Sequence, residues 1–539
     1  MPERWRTGRI LLIIGALLAA AVTLRYGVNG DIRYELGSQW TSTHPPAETF
    51  THRPLMYRLI MAAVAVPAEF LRRGIGSYEM VLRAESIMLV AASAVVLWYG
   101  MRRRWPDWAL PTAVVVGAAT VLMSPGITWE PDWVAVPIVV AGVGAALAGG
   151  SGSRAWPIVG GVLLALAAVL KVLTLPTALI GLVVLLWVDR RRCWWAAGAA
   201  VVVGTAWIAV VAGIWPHEIR WLIDSSTIQP SRVLAKRLEY GGELVGNAAL
   251  MWPAVLLFPA SVISLGRRLG LGALLIMVLA WVPAAVQNQY FIYHIPAAPV
   301  IAAAALLPAL RSRLMQVATV VLTLISAVVL HLPAPWRVEH RPALFVGALV
   351  AALVLAAVML WRGRGGKPGV GGAGRTGPGF ALVAATLVVL STVPPTLPQA
   401  AWSITLRQSS RTTSVSHAHE TATFVAEADA VRKRIGPRST VTYLTFGDRN
   451  HTLRNPTPCR FPTNVFLQRS RYAHGHEGTE TWRENLTCLT EADTDWLVWD
   501  KSWFSLKGEP AVVKAAIEER FDCGKGFTEG ALTVCPRRR

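Results

Sequence analysis

Charge is in short supply in this chain. Asp, Glu, Lys and Arg make up 16% of its 539 residues, against roughly 25% in ordinary soluble domains. That shortage, joined to an apolar content of 53%, excludes both a disordered chain and an ordinary soluble enzyme. Cysteine is scarce too: there are five, no two in a C-x-x-C spacing, which argues against a zinc ribbon. The glycine-rich stretch 363–379 lacks the Lys-Ser/Thr of a phosphate-binding loop and reads as a flexible basic linker. No persuasive internal repeat is present, and residues 400–539 show neither a nucleophile elbow nor a triad spacing. The net charge of +20 would suit nucleic acid, but many of the arginines form short clusters between apolar runs, where they set topology. No nucleic-acid partner is expected.

Long apolar runs, in contrast, are plentiful, and the mean hydropathy is +0.44. Candidate spans lie near residues 10–25, 79–100, 108–124, 133–149, 156–173, 174–188, 194–214, 245–264, 270–286, 295–310, 314–331, 343–361 and 380–396. The pattern predicts a polytopic α-helical membrane protein with about 13 transmembrane helices. With the N-terminus inside, 18 basic residues (among them Arg102, Arg103, Arg104, Arg190, Arg191, Arg192, Arg267, Arg268, Arg311 and Arg313) face three acidic ones (Glu3, Asp107, Asp189) in the inner loops. The outer loops carry Asp31, Glu35, Glu48, Glu130, Asp132, Glu218, Asp224, Glu239, Glu243 and Glu339 instead. This is a positive-inside distribution. It requires that 156–188 be a hairpin turning near 171–176 and that 56–71 be an interfacial helix; changing either alone would place arginine clusters outside. The first apolar run ends in Val22-Thr23-Leu24-Arg25-Tyr26 without a convincing cleavage site, so it is read as a retained helix. The expected location is the plasma (inner) membrane, with a cytoplasmic N-terminus.

Composition turns ordinary near residue 400. It divides the chain into a transmembrane domain, 1–399, and an extracytoplasmic soluble domain, 400–539. Helical patterns over 421–434 and 510–520 and strand patterns over 440–446 and 496–499 predict a small α/β domain. Four of the five cysteines lie there, an even number in an oxidising compartment, so two disulfides are expected. Of the three pairings, nearness in the chain favours Cys459–Cys488 and Cys523–Cys535; Cys193, beside an inner arginine cluster, is read as a free thiol. His417/His419 and His474/His476 read as exposed loop histidines rather than metal ligands. Asn450-His451-Thr452 and Asn485-Leu486-Thr487 fit the glycosylation pattern, which matters only in a host with that machinery.

All eleven histidines fall on the expected outer side or at its interface, so any active site is expected to face outward. The first outer loop carries the most chemistry: Gly30-Asp31-Ile32-Arg33-Tyr34-Glu35, then Phe50-Thr51-His52-Arg53-Pro54-Leu55-Met56-Tyr57. An acidic residue just beyond the first span, followed by a helix lying on the membrane, suits a reaction between a lipid-borne substrate and a polar one. Asp31 could equally be the N-cap of a short helix. Arg33, Arg53 and Arg58 are placed to pair with a lipid phosphate, or to snorkel to headgroups. Glu130 and Asp132, in Trp129-Glu130-Pro131-Asp132-Trp133, could bind acceptor hydroxyls or a divalent cation, and Asp132 could cap a helix instead. Lys171, an intramembrane charge, could contact phosphate or snorkel. Glu79 and Arg83 are spaced for a structural i,i+4 pair.

This first loop resembles that of the GT-C superfamily of polyprenyl-phosphate-sugar-dependent glycosyltransferases, and within it the actinobacterial mannosyl- and arabinofuranosyltransferases. Asp31-Ile32-Arg33-Tyr34 stands where that family has an Asp-x-x-x-Tyr-like start, with Tyr34 one residue early. Phe50-Thr51-His52-Arg53-Pro54 stands where it has Phe-x-Tyr-Pro-Pro, with His52-Arg53 in place of Tyr-Pro. The segment Gln287-Asn288-Gln289-Tyr290-Phe291-Ile292-Tyr293-His294-Ile295-Pro296 resembles its aromatic-histidine loop. The likeness covers the layout of residues 10–310. It implies inverting transfer of a sugar, mannose or arabinofuranose, from a polyprenyl-phosphate donor to a cell-envelope glycan or glycolipid acceptor. Asp31 would be the base, and His294, with Tyr290 or Tyr293 nearby, would steady or protonate the departing phosphate. Arg33, Tyr34, Glu35, His52, Arg53, Arg58, Glu130, Asp132, Lys171, Tyr290 and Tyr293 would bind substrates. No cofactor is required, though a divalent cation fits the carboxylates. A lipid or polysaccharide transporter or flippase is the competing reading. It would want paired halves and charges along a central path.

Overall fold

The computed structural model describes residues 3–123, 125–150, 152–227, 233–365, 378–469, 477–507 and 509–538. Most of the glycine-rich linker and the His474/His476 pair lie outside them. The chain forms two compact units that do not follow chain order: Met1–Tyr26, Arg83–Thr205 and Val233–His417 make one, and Gly27–Leu82, Ala206–Arg232 and Ala418–Arg539 the other. The first outer loop and residues 418–539, far apart in sequence, therefore belong to one unit.

Each of the thirteen expected segments is helical, but not each is long enough to cross a bilayer. Six helices reach spanning length and hydropathy: Arg6–Tyr26, Ile75–Met101, Arg190–Ile214, Gly266–Gln287, Arg313–His331 and Arg341–Arg362. Leu234–Met251 and Pro253–Ser264 form a further pair bent by 91°, broken where Pro253 removes a backbone donor and crowds the preceding turn. Six more apolar helices have only 10–17 residues, against the ~20 that a 30 Å hydrocarbon core asks of an upright helix. The expected count of thirteen is thus not met by length and composition, which give six, or seven with the bent pair as one. Proline is one cause: Pro106, Pro131, Pro176 and Pro253 sit in the first turn of short helices and fix where they start.

Within the first unit the Pro131–Leu147 helix is buried almost all round, which is why its apolar residues show no one-sided stripe. It meets the Ala155–Val169 helix through Gly142 and Gly160; a Cβ on Gly160 would stand 2.6 Å from the Gly142 carbonyl oxygen. Such small-residue contacts let helix backbones approach closely inside a membrane. The expected hairpin turn is present: Ala155–Val169 and Leu175–Val188 are joined by a short 3-10 turn, Val172–Thr174.

The second unit holds a four-stranded sheet, β1 (Val441–Leu444), β2 (Trp496–Asp500), β3 (Phe527–Glu529) and β4 (Leu532–Pro536), in the order β1-β2-β4-β3. β1 and β2 are parallel, and the other pairings are antiparallel. Period-two alternation splits the side chains between two cores. Val441, Tyr443, Val498, Leu532 and Val534 face one with Ala428, Val431 and Ile435 of the Ser414–Ile435 helix. Leu444, Leu497, Trp499 and Cys535 face the other, with Phe461, Phe466, Ile517 and, from nearer the N-terminus, Phe50 and Trp221 of the helix Pro216–Thr227. Gly530 takes φ +53° at the first central position of the β3–β4 turn, where tight hairpins need a left-handed residue. Both expected disulfides form, Cys459–Cys488 and Cys523–Cys535, with Cα separations of 5.5 and 4.5 Å, and Cys193 is free.

Three smaller expectations change. His417 and His419 lie inside the Ser414–Ile435 helix and not in a loop. Both glycosylation-pattern asparagines are fully buried. Asn450 donates to the Pro462 carbonyl at 3.2 Å, and Asn485 to Asn464 at 2.7 Å. In the folded chain neither can meet a modifying enzyme.

Candidate functional site

In the first unit, the most polar buried constellation forms around Asp132, in the first turn of the Pro131–Leu147 helix. Its Oδ2 accepts from Lys171 Nζ at 3.0 Å and lies 3.0 Å from His294 Nδ1. Lys171 also donates to Gln287 Oε1 at 2.9 Å, and Gln287 Nε2 donates to Gln289 Oε1 at 2.8 Å. That oxygen stands 3.3 Å from His294 Nε2. Both histidine nitrogens thus face oxygen, an arrangement that the doubly protonated ring satisfies. Asp132 and His294 are each about 1% exposed.

The local folding that gathers these groups is simple. Lys171 stands at the turn between two short helices, just before Val172–Thr174 and Leu175–Val188. His294 ends a 3-10 turn before the Ala297–Ala309 helix. Asp132 lies in the first turn of its helix, and Lys171 and His294 stand in the turns that precede Leu175–Val188 and Ala297–Ala309, so two potential cations meet one carboxylate. That combination attracts an anion such as phosphate. Trp129, at φ 72°, and the fully buried Glu130 lead into the Asp132 turn. A bulky residue held in the left-handed region is strained, and such strain concentrates at functional sites. Tyr293 packs its ring 4.3 Å from that of His294. Tyr290 stacks instead on Tyr240, ring centroids 6.5 Å apart.

In the second unit, Asp31 lies in the helix Gly30–Thr41, and the cap of that helix is Asn29, whose side chain accepts from Ile32 N at 3.0 Å. Asp31 is therefore not needed as the cap. Its side chain is 32% exposed, with Arg53 Nη2 3.5 Å away. A carboxylate left partly in water beside a guanidinium is available to a substrate. The Tyr34 hydroxyl lies 3.2 Å from His52 Nδ1, and His52 takes φ 56°. Burial holds the Tyr34 phenol above its usual range and lifts the Glu35 carboxyl above that of a free glutamate. Glu35 Oε1 accepts from Gln39 at 2.7 Å.

Two arginines expected at a lipid phosphate are engaged elsewhere. Arg33 is buried, its Nε and Nη2 donating to Glu79 at 2.8 and 2.9 Å. Burial works against its charge, but Glu79 outweighs burial and strengthens it. Glu79, expected to pair with Arg83, thus holds Arg33, and it also meets His451 Nε2 at 3.1 Å. Arg58 is fully buried, donating to the Thr49 carbonyl and paired with Glu218. The reason is shared: a buried guanidinium takes an internal carboxylate because none of its charge can be left to water. Phe50 of the family-like loop is a core anchor, 4.8 Å from the Trp221 ring.

Gln287, Gln289, His451 and Glu218 were not foreseen as partners of the candidate residues. Their one sequence signal was polarity beside an apolar helix. Among the described residues no group of three or more His, Cys, Asp or Glu is arranged to hold a metal ion.

No protein-family model and no curated protein matches the chain. Among solved structures, it is similar to ArnT from Cupriavidus metallidurans bound to undecaprenyl phosphate, at TM-score 0.51 and 16% identity, over 99% of this chain and 98% of that one. The apo form of the same protein gives 0.49 and 15%, over 98% and 97%. The apo oligosaccharyltransferase of Archaeoglobus fulgidus gives 0.39 and 11%, over 97% and 74%. At such identities the likeness is one of fold, and it rests on the first of these. The chain shares the fold of that protein, with apolar helices of membrane-spanning length and a small C-terminal sheet.

Proposed function

We propose that the chain is a membrane glycosyltransferase that takes a sugar from a polyprenyl-phosphate donor. The observation that carries this reading is the Asp132–Lys171–His294 constellation, in a fold shared with a protein solved with undecaprenyl phosphate. In this reading Lys171 and His294 hold and neutralise the departing phosphate, while Asp132 orients both cations. Asp31, with Arg53 beside it, takes the proton of the acceptor hydroxyl. Tyr34, Glu35, His52, Glu130, Tyr290 and Tyr293 shape the substrate pockets. Transfer is inverting, mannose or arabinofuranose is the sugar, and the acceptor is a cell-envelope glycan or glycolipid, as in the actinobacterial family that the first loop resembles. About 13 membrane passes, a cytoplasmic N-terminus, and residues 400–539 as an outer α/β domain belong to the same reading.

The test is transfer from a synthetic polyprenyl-phosphate sugar by the purified full-length chain and by Asp31→Asn. A sugar hydroxyl is a poor nucleophile, so loss of a positioned base lowers the rate by ~10²–10⁴. Because Asn29 provides the cap, Asp31→Asn keeps its thermal midpoint. A variant with wild-type stability and wild-type turnover would remove Asp31 from the mechanism.

A further inference from the structure

We infer that the first unit holds one anionic phospholipid, its acyl chain in an apolar cavity and its phosphate on Arg311. The cavity measures about 690 Å³ and is walled by Ile75–Met101, Pro106–Leu122, Pro131–Leu147, Leu175–Val188, Gly266–Gln287 and Ala297–Ala309. Ligand-holding cavities fall in the range ~300–1,000 Å³. Its lining is aliphatic and aromatic apart from Thr112, Thr177 and Arg311, and Arg311 is the one charged residue among the described residues that line it. Asp132, Lys171 and His294 are not in the lining. The cavity is therefore separate from the phosphate constellation described above, and the inference does not depend on the proposed chemistry.

Arg311 gives the cavity a polar end. It follows the last turn of Ala297–Ala309, is exposed, and lies with its guanidinium 5.6 Å from the Trp108 ring. The neighbouring helix ends are tied together there. Arg104 pairs with Asp189 at 2.5 Å, and Trp187 Nε1 donates to the Arg268 carbonyl at 3.2 Å. Trp105, Trp108 and Trp187 line the cavity, and Trp108 is the one set against Arg311. Tryptophan settles at headgroup depth because its ring is apolar and its N–H is not. An arginine offers a phosphate two parallel donors. The basic residues in the adjoining loops, Arg102, Arg103, Arg190, Arg191 and Arg267, favour a headgroup of net negative charge over a zwitterion. A chain in the apolar recess, a phosphate on Arg311 and an anionic headgroup beneath the arginine loops satisfy all three features together.

The experiment is native mass spectrometry of the full-length chain purified in mild detergent, followed by thermal shifts on adding phosphatidylglycerol or phosphatidylcholine. The expected result is one retained anionic glycerophospholipid per chain, with phosphatidylglycerol raising the midpoint more than phosphatidylcholine. Arg311→Gln should weaken retention about tenfold, the size of one lost charge-assisted contact. Ala304→Trp should abolish retention by filling the cavity, and Ala304→Leu, the milder variant, should reduce it if the tryptophan impairs folding. Three outcomes would each overturn the inference: no lipid retained by folded wild type, equal stabilisation by both lipids, or retention unchanged in Arg311→Gln and both Ala304 variants. A retained polyprenyl phosphate in place of a glycerophospholipid would overturn it as well.

Discussion

Glu79 and Asp132 are both buried carboxylates that meet a histidine and a cation, one in each unit, and their hydrogen bonding differs. Glu79 is saturated. Oε1 meets Arg33 Nε and His451 Nε2, and Oε2 meets Arg33 Nη2 and the Val28 N–H at 3.0 Å. Asp132 places both its partners on Oδ2, and Oδ1 accepts no hydrogen bond among the described residues. A saturated carboxylate fixes backbone and side chains in one arrangement. A half-used one beside two potential cations leaves capacity that a substrate can draw on. The comparison separates a carboxylate that holds the fold from one suited to chemistry, although residue type and burial are alike.

The comparison breaks if Glu79 can be removed cheaply. Glu79→Gln leaves Arg33 charged and buried without its carboxylate, and the expected cost is ~3–5 kcal/mol. Denaturant unfolding of the purified chain should show a large loss, whereas Lys171→Met should cost less, because His294 still faces Asp132 and Lys171 is itself partly exposed. Lys171→Met sharpens the other half. With one phosphate-stabilising cation gone, turnover from a polyprenyl-phosphate sugar should fall ~10²–10³ while the chain stays folded with a smaller loss of stability than Glu79→Gln. A variant that unfolds instead would make Lys171 structural, like Glu79.

Covalent staples in the second unit come next in size. Cys459–Cys488 and Cys523–Cys535 close loops of 29 and 12 residues, and loop entropy assigns each about 3 kcal/mol. Mild reduction should therefore lower the midpoint of the transition that loses the sheet, and thiol labelling of the unreduced chain after unfolding should find Cys193 alone reactive. The smallest effect is a pH effect. Burial lifts the Asp448 carboxyl to about 6, with Arg449 and Arg33 opposing. Its folded value lies above the ordinary carboxylate value, so the folded state binds more proton between about pH 4 and 6, and stability declines as pH rises through that window. Asp448→Asn should remove that decline, about 3 kcal/mol for a rise of roughly two units. Identical pH–stability profiles for wild type and variant would show that Asp448 is already solvated.

Reading the chain from its residues succeeded where short-range patterns decide. The hairpin at 171–176, the helix following Pro54, strands at 441–444 and 496–500, and both cysteine pairs follow from hydrophobic period, proline and proximity. It missed the β3–β4 hairpin, whose strands are too short for a clear alternation. It placed Arg33 and Arg58 at a lipid phosphate because nothing in Asp31-Ile32-Arg33-Tyr34 signals a carboxylate 46 residues on at Glu79, nor at Arg58 one 160 residues on at Glu218. The capping alternative for Asp31 dissolved on a neighbour, Asn29, two positions earlier.

The sequence by itself determined that this is a chain of apolar helices with an ordinary C-terminal segment, because hydropathy and helix length are local properties of the residues. It also determined which polar groups were available near the helix ends. Only the tertiary structure decided how those groups are matched: Asp132 with Lys171 and His294, Glu79 with Arg33 and His451, Phe50 in the sheet's core. A buried charge must find its partner wherever the fold brings one, and that distance in space is not written in the spacing along the chain.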